Sequence, residues 1–471
     1  MAAVVTPFPS RPHPRKTSVA SALPLGRKER YAAGKALRQR VTRQQHGEWT
    51  IGRNRPDPVE LVIESSKGRI PELIPIRYGR MMVSPFTFYR GTANIMAADL
   101  APTPVSGLNA QLCGDAHLLN FGGFDTPERR LVLDINDFDE TLPGPWEWDL
   151  KRLATSFVFA ARSNGFSPAD QHEAALTCVR SYREHMLECA EMTVLEVWYA
   201  SIQFSDTLAA IHRKAGRHKL EKQIEKEKVH QAPEHEFPKL VEARGGRYVI
   251  KDAPPLIYHH PHIVASGEAI RRALALYRES LSDARRILLD RYKVMDFALK
   301  VVGVGSVGTL CAVALLMAAE DDPLFIQIKE AGPSVLETYL GRSTYPNHGQ
   351  RVVVGQHLMQ AASDIFLGWT HGQGKRHFYL RQLRDMKVKP LVELFKPVGL
   401  FDYAGLCGWT LARAHARSGD PAMMAGYMGK TEVFDKAIAA FGKTYADQTE
   451  RDHAAFKNAI RKGRIEVQAE N

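Results

Sequence analysis

The 471-residue sequence predicts an α+β protein, with a mainly helical larger part and a smaller antiparallel β part. Three observations carry that expectation. Apolar residues recur at helical spacing through residues 148–164, 168–202, 269–291 and 433–462. Short aliphatic runs separated by glycine-rich or acidic turns fill 294–331 and 366–383, as strands do. Hydrophobic residues make up 44% of the chain and charged ones 24%, so it can bury a large core spread over two or three lobes.

The 63 Lys and Arg against 52 Asp and Glu leave a net charge of +11, which favours anionic partners: a nucleotide, a phosphorylated substrate or a nucleic acid. No uninterrupted apolar run approaches a membrane span, so no membrane-spanning segment is expected. Arg11, Arg15 and Lys16 alternate with Pro and Ser where a secretory signal would be apolar, and a cytoplasmic location is the default expectation. The five scattered cysteines lack metal-ligand spacing and read as reduced, buried small residues.

Residues 1–28 lack periodicity and are expected to form a disordered basic tail. Residues 29–45 read as a basic amphipathic helix with a solvated face, nucleic-acid contact being the minor alternative. Arg77, Arg80 and Arg90 then stand close to Tyr78, Phe86, Phe88 and Tyr89. Guanidinium forks suit planar anions, so these three are candidates to clamp a substrate phosphate or carboxylate. The alternative is a set of structural ion pairs, such as Arg90 with Asp99.

The most informative stretch is 111–154. Gly114-Asp115-Ala116-His117-Leu118-Leu119-Asn120 is followed by a charged turn at 125–130, a strand-like run at 131–133, and Asp134-Ile135-Asn136-Asp137-Phe138-Asp139-Glu140. Two short strands joined by that turn bring Asp115, Asn120 and Asp137 to one end of a hairpin. Phosphoryl transfer uses such a set: one carboxylate accepts the hydroxyl proton, while an Asn and a second carboxylate hold Mg²⁺ on the nucleotide phosphates. Taken singly, each is also a common turn residue, and Asp125, Asp134 and Asp139 read as caps and surface charges.

In this order, Gly-Asp-x-His-x-x-Asn, Asp-Phe-Asp and Gly-Pro-x-x-x-Asp-Leu resemble the catalytic core of aminoglycoside-phosphotransferase-type, protein-kinase-like enzymes. The resemblance implies that Asp115 is the catalytic base, that His117 orders its loop, and that Asn120 and Asp137 hold Mg²⁺. It also implies that Asp149 braces the loop from the start of the next helix. Over nearly its full length the chain resembles the bacterial family called domain of unknown function 2252, a likeness that implies no reaction.

Further on, 211–228 is densely charged and reads as a solvated helix or insertion. His230, His259, His260 and His262 read as loop residues, not ligands. Residues 247–258 suggest a strand and a proline-bounded turn. A strand from 294 then leads into Gly303-Val304-Gly305-Ser306-Val307-Gly308, a second strand, an acidic turn and a third strand ending in Ile328-Lys329. A lone GxGxxG is weak, and in a dinucleotide-binding fold a helix should follow it. A β-hairpin ending in lysine resembles instead the glycine-rich loop and phosphate-binding lysine of kinases. On that likeness Gly303, Gly305, Ser306 and Gly308 let backbone N–H groups approach the phosphates of ATP, and Lys329 neutralises them. Glu337 and Glu330 are the candidate partners of Lys329. A helix at 349–363 and a hairpin over 366–383 complete a small lobe of about five strands and one helix.

In kinase-like enzymes the glycine loop precedes the catalytic loop; here Gly303 follows Asp115. Residues 406–418 resemble the helix that leads into that catalytic loop. The likeness therefore implies a two-lobed kinase-like fold in circularly permuted order. Its parts are a tail (1–28), a helical lobe with the catalytic hairpin (29–290), a β-rich nucleotide lobe (291–390) and C-terminal helices packed back on the first part (391–471). The implied activity is ATP- and Mg²⁺-dependent phosphoryl transfer to a hydroxyl of a small molecule or protein. The rivals are AMP transfer with the nucleotide reversed, a non-catalytic nucleotide-sensing or nucleic-acid-binding protein, and metal-dependent phosphoester hydrolysis. The last wants more His and Asp ligands than the sequence offers.

Overall fold

The computed structural model describes residues 25–203, 205–207, 217–218, 221–222, 233–259, 267–301, 303–320, 322–383 and 387–468. Most of the tail at 1–28, most of the charged stretch at 211–228, and His230, His260 and His262 lie outside these residues.

The chain opens with helices α1 (Arg27–Ala36), α2 (Pro58–Glu64), α3 (Ile74–Met82), α4 (Pro85–Arg90) and α5 (Ala93–Leu100). The helix expected over 29–45 therefore ends at Ala36. Its packing explains the stop. Gly34 lies against the Met423 backbone, and the chain then turns so that His46 reaches the core and hydrogen-bonds Tyr427. Strands β1 (Asn109–Leu112), β2 (Phe121–Asp125), β3 (Leu131–Ile135) and β4 (Leu142–Pro145) follow, then α6 (Glu147–Ser163), α7 (Pro168–Glu191), α8 (Val194–Tyr199) and β5 (Ile202–Gln203). Every residue of α6 from Glu147 to Ala161 is buried, which makes it the axis of the helical part. The start of α7 follows the sequence: Ser167 caps it by accepting from the Asp170 N–H, with Pro168 at the first turn.

Next come the hairpin β6 (Val241–Arg244) and β7 (Arg247–Ile250), β8 (Ile257–Tyr258), α9 (Gly267–Ser280), α10 (Asp283–Leu289), β9 (Lys293–Lys300), β10 (Cys311–Ala319) and β11 (Asp322–Ala331). They are followed by α11 (His348–Met359), β12 (Gly368–His371), β13 (His377–Gln382), β14 (Lys387–Val388), α12 (Pro397–Ala416), α13 (Pro421–Met428) and α14 (Val433–Arg461). The glycine run is thus followed by a strand, not by the helix a dinucleotide site requires.

Six strands form one antiparallel sheet in the order β12-β13-β11-β10-β9-β8, one strand more than expected because β8 joins the edge. Alternation along β10 explains its two buried faces. Ala314 and Leu316 pack with Tyr277 of α9 and with Leu281 just past its end, while Val313, Leu315 and Met317 pack with Val241 and Ile250 of the β6–β7 hairpin. The β6–β7 hairpin, α9 and α10, allotted by sequence to the helical part, therefore pack on this sheet. The glycine loop joining β9 to β10 is also held from outside: Leu73 and Ile76 pack on Val301 and Val307.

In the helical part α7, α12 and α14 surround α6, with Tyr182, Met186, Leu411, Phe434, Ile438 and Phe441 in one core. All five cysteines are free and buried. Among the described residues, no helix is long and apolar enough to cross a membrane. Where α12 packs on α7, a Cβ on Gly408 would collide with the Cys178 carbonyl oxygen. Gly408→Ala should therefore lower unfolding free energy by about 2–3 kcal/mol through overpacking, read from the urea midpoint.

Candidate functional site

The hairpin of β2 and β3 is built as its residues dictate. The ladder runs from Asp125↔Leu131 to Phe121↔Ile135, and the Asn136 N–H donates to the Asn120 carbonyl at 2.8 Å, one step past it. Asn120 and Asp137 therefore leave the hairpin side by side. Asp115 reaches the same end through Gly114, whose φ of +80° and contact with the Glu140 backbone exclude a side chain.

Asp149 fixes this approach. Its Oδ2 accepts the Cys113 N–H at 2.7 Å and its Oδ1 the Gly114 N–H at 3.0 Å. His415 lies 3.3 Å from the same carboxylate, and its other ring nitrogen lies 2.9 Å from the Tyr182 hydroxyl. From α12, the Tyr403 hydroxyl donates to the Leu118 carbonyl at 2.7 Å. The Asn120 amide nitrogen donates to the Asp115 carbonyl at 2.8 Å, which ties the two candidate residues together.

The Asp115 carboxylate has a cation that the sequence reading missed. Arg152 Nε donates to Asp115 Oδ1 at 2.7 Å, and the guanidinium also lies over the Tyr89 ring. Burial raises Asp115 above the usual carboxylate range, and Arg152 opposes that shift. His117 Nε2 stands 3.9 Å from Asp115 Oδ2. Burial lowers His117 well below its ordinary value, and the Arg90 and Arg152 charges add to this, so the imidazole is neutral at ordinary pH.

The second half of the site comes from β11. Lys329 Nζ donates to Asp139 Oδ2 at 2.7 Å and lies 3.9 Å from Asp137 Oδ1. The Tyr379 hydroxyl donates to Asp139 Oδ1 at 2.6 Å, and Ser306 Oγ lies 3.3 Å from Asp139 Oδ2. Burial alone would lower Lys329, but Asp137 and Asp139 raise it well above its ordinary value. Burial works against ionised Asp139, yet Lys329 and Tyr379 hold it low, whereas burial and the Asp139 charge raise Asp137.

These pieces face one cleft of about 180 Å³. Asp115, His117, Asn120, Asp137, Gly303, Gly305, Ser306, Arg77 and Arg90 all line it. Lys329 sits just beneath, against Asp137 and Asp139. Two candidates fall elsewhere. The Gly308 carbonyl accepts from the Ile70 N–H at 2.7 Å and Arg69 covers its Cα, so Gly308 anchors the loop instead of lining the cleft. Arg80 donates to the Gly303 carbonyl and stands outside the lining.

Other expectations need correction. Neither candidate glutamate pairs with Lys329. Glu337 lies 3.8 Å from Arg351 and 3.7 Å from His348, while Glu330 accepts the Leu310 N–H at 3.0 Å and lies 3.6 Å from Arg376. Asp139, read as a cap or surface charge, is the partner. The available signal was its spacing: it follows Asp137 by two residues in a turn, where its N–H reaches Asp137 Oδ1 at 3.3 Å. Asp134 is also no surface charge, being fully buried against Arg413. Asp99 pairs with Arg55 at 2.7 Å and accepts from the Tyr445 hydroxyl, so it takes no part with Arg90. Arg351 was also missed. From α11 it donates to the carbonyls of Asp139, Thr141 and Gly332, fastening the hairpin's acidic end to β11.

Two backbone N–H bonds to a buried carboxylate are each worth about 1.5–3 kcal/mol. Asp149→Ala should therefore cost on the order of 3–5 kcal/mol in urea denaturation, with Asp149→Asn recovering part of the loss because it keeps one acceptor.

The family described as "Uncharacterized protein conserved in bacteria (DUF2252)" matches residues 69–459, which include every element of the site. No curated protein and no solved structure matches the chain.

Proposed function

The chain belongs to the DUF2252 family, and for it we propose ATP- and Mg²⁺-dependent transfer of a phosphoryl group to the hydroxyl of an acceptor. One observation carries the reading. The acidic end of the β2–β3 hairpin and the glycine–lysine segment of the six-stranded sheet meet across a single cleft, with Lys329 2.7 Å from Asp139 and 3.9 Å from Asp137.

The order of elements supports a permuted kinase-like arrangement. A strand, a glycine loop, a strand and a lysine-bearing strand are followed by α11 and the β12–β13 hairpin. The chain then crosses to the catalytic hairpin, where β14 pairs with β2, and α12 runs beneath the Asp115 loop through Tyr403. In the proposed roles Asp115 orients the acceptor hydroxyl and takes its proton, and Arg152 keeps that carboxylate aimed. His117, held a weak base by burial and by the Arg90 and Arg152 charges, orders the loop. The N–H groups at Gly303, Gly305 and Ser306 approach the phosphates, and Lys329 supplies a positive charge beneath them.

The donor set suits Mg²⁺. The Asn120 amide nitrogen is engaged with Asp115, which leaves its oxygen as the pole a cation meets. Asp137 adds a hard carboxylate oxygen whose proton affinity is raised by burial and by Asp139, a strain that a divalent cation relieves. When bound, Mg²⁺ neutralises phosphate charge. The rest of the work is positioning by the chain's own groups.

Incubation with Mg²⁺ and a mixed metabolite or protein extract tests the activity. Label should pass from γ-labelled but not α-labelled ATP, and Asp137→Asn should lower transfer at least ~100-fold with the thermal midpoint nearly unchanged. Transfer of α-label would instead indicate AMP transfer, and full activity of the variant would remove Asp137 from the mechanism. A separate check is ligand-induced stabilisation: Mg²⁺-ATP should raise the midpoint, and EDTA should abolish most of that rise.

A further inference from the structure

We propose that the acceptor carries a phosphate or carboxylate group, seated on a wall of the cleft formed by Arg69, Arg77 and Arg90. This rests on the phosphotransferase reading and names the substrate class it uses.

On the acidic side of the cleft Arg152 is neutralised by Asp115 and Lys329 by Asp139. The opposite wall is different. Arg69 donates to the Ser65 and Val307 carbonyls at 2.9 and 2.6 Å, and Arg77 donates to the Ser66 and Ser65 hydroxyls and the Gly91 carbonyl. These partners are neutral. Among the described residues none of the three arginines forms an ion pair with a carboxylate, and the Nε atoms of Arg77 and Arg90 are buried without a hydrogen-bond partner. Arg77 is 1% exposed and lines the cleft. Burial lowers all three, Arg77 to about 9, and outweighs the pull of carboxylates that none of them pairs with, Asp115 on Arg90 and Glu140, Asp139 and Glu330 on Arg69. Charges in that state call for an anion, and guanidinium forks match phosphate and carboxylate geometry.

The position of the wall favours the acceptor over the nucleotide. The Arg90 charge acts on Asp115 and His117, the residues that face the incoming hydroxyl. Arg69 is tied to the far end of the glycine loop through the Val307 carbonyl, not to Gly303 or Gly305. The nucleotide has the loop, Lys329 and the Asn120–Asp137 pair.

The test uses the full chain, with inorganic phosphate and acetate as probes and Mg²⁺-ATP titrated separately. Phosphate or acetate should raise the thermal midpoint of the wild type and of Asp137→Asn, and the rise identifies which anion the wall takes. Arg90→Met should weaken that anion at least tenfold while Mg²⁺-ATP affinity stays within about twofold. Arg90→Lys, which keeps the charge and loses the fork, should fall between. Neither anion binding at tens of millimolar, unchanged binding in both Arg90 variants, or equal loss of anion and Mg²⁺-ATP would each overturn the proposal. Should Asp137→Asn leave Mg²⁺-ATP binding intact while the Arg90 variants lose phosphate, the anion subsite stands and the phosphotransferase reading fails.

Discussion

The ion pair between Lys329 and Asp139 joins residues 190 positions apart and stitches the six-stranded sheet to the acidic end of the β2–β3 hairpin. Around it the contacts are mutually dependent. Tyr379 donates to the other oxygen of Asp139, and Ser306 brings the glycine loop to the same carboxylate. Arg351 draws the backbone of Asp139 and Thr141 toward Gly332 on the β11 side. A lysine buried this deeply stays charged only because two carboxylates surround it, and those carboxylates stay close only because the lysine lies between them. Loss of either partner would leave the other buried and unpaired, which is why the junction constrains the rest of the cleft.

Two other devices serve the same end with different chemistry. Asp149 receives two backbone N–H groups and so determines the path into Asp115, without facing the cleft itself. Arg152 then sets the orientation of the Asp115 carboxylate from one face of the central helix. Both residues lie on the buried stretch of α6, three positions apart, so one helix positions the loop and its carboxylate together. The arginines of α3 and α4 form the remaining wall, and the packing of Leu73 and Ile76 on Val301 and Val307 keeps that wall against the glycine loop.

Local chemistry was readable from the chain. The hairpin that gathers Asp115, Asn120 and Asp137 follows from two short strands and a charged turn, and the start of α7 from Ser167-Pro168. Asp149 was readable because the motif carries it. What escaped depends on distant partners. The counter-ion of Lys329 could not be found by looking for a glutamate on the following helix, since Glu337 is taken up by Arg351 and His348. Asp139 looked like a turn residue because its partners, Lys329 and Tyr379, are contributed by strands far along the chain. The end of α1 at Ala36 is set by α13, which Gly34 and Arg38 contact, and the allegiance of the β6–β7 hairpin, α9 and α10 by the sheet faces they cover. Periodicity reports which face of an element is apolar and not which neighbour will cover it.

The claim on which the account turns is that Lys329 and Asp137 grip one triphosphate together. A double-mutant cycle measures this most directly, with the dissociation constant of a Mg²⁺-bound, non-hydrolysable ATP analogue determined by calorimetry for the wild type, Lys329→Met, Asp137→Asn and the double variant. The account predicts at least tenfold weakening for each single variant, and a double variant that departs from their simple sum because the two groups share a ligand. Analogue affinity that is the same in all four proteins would contradict it.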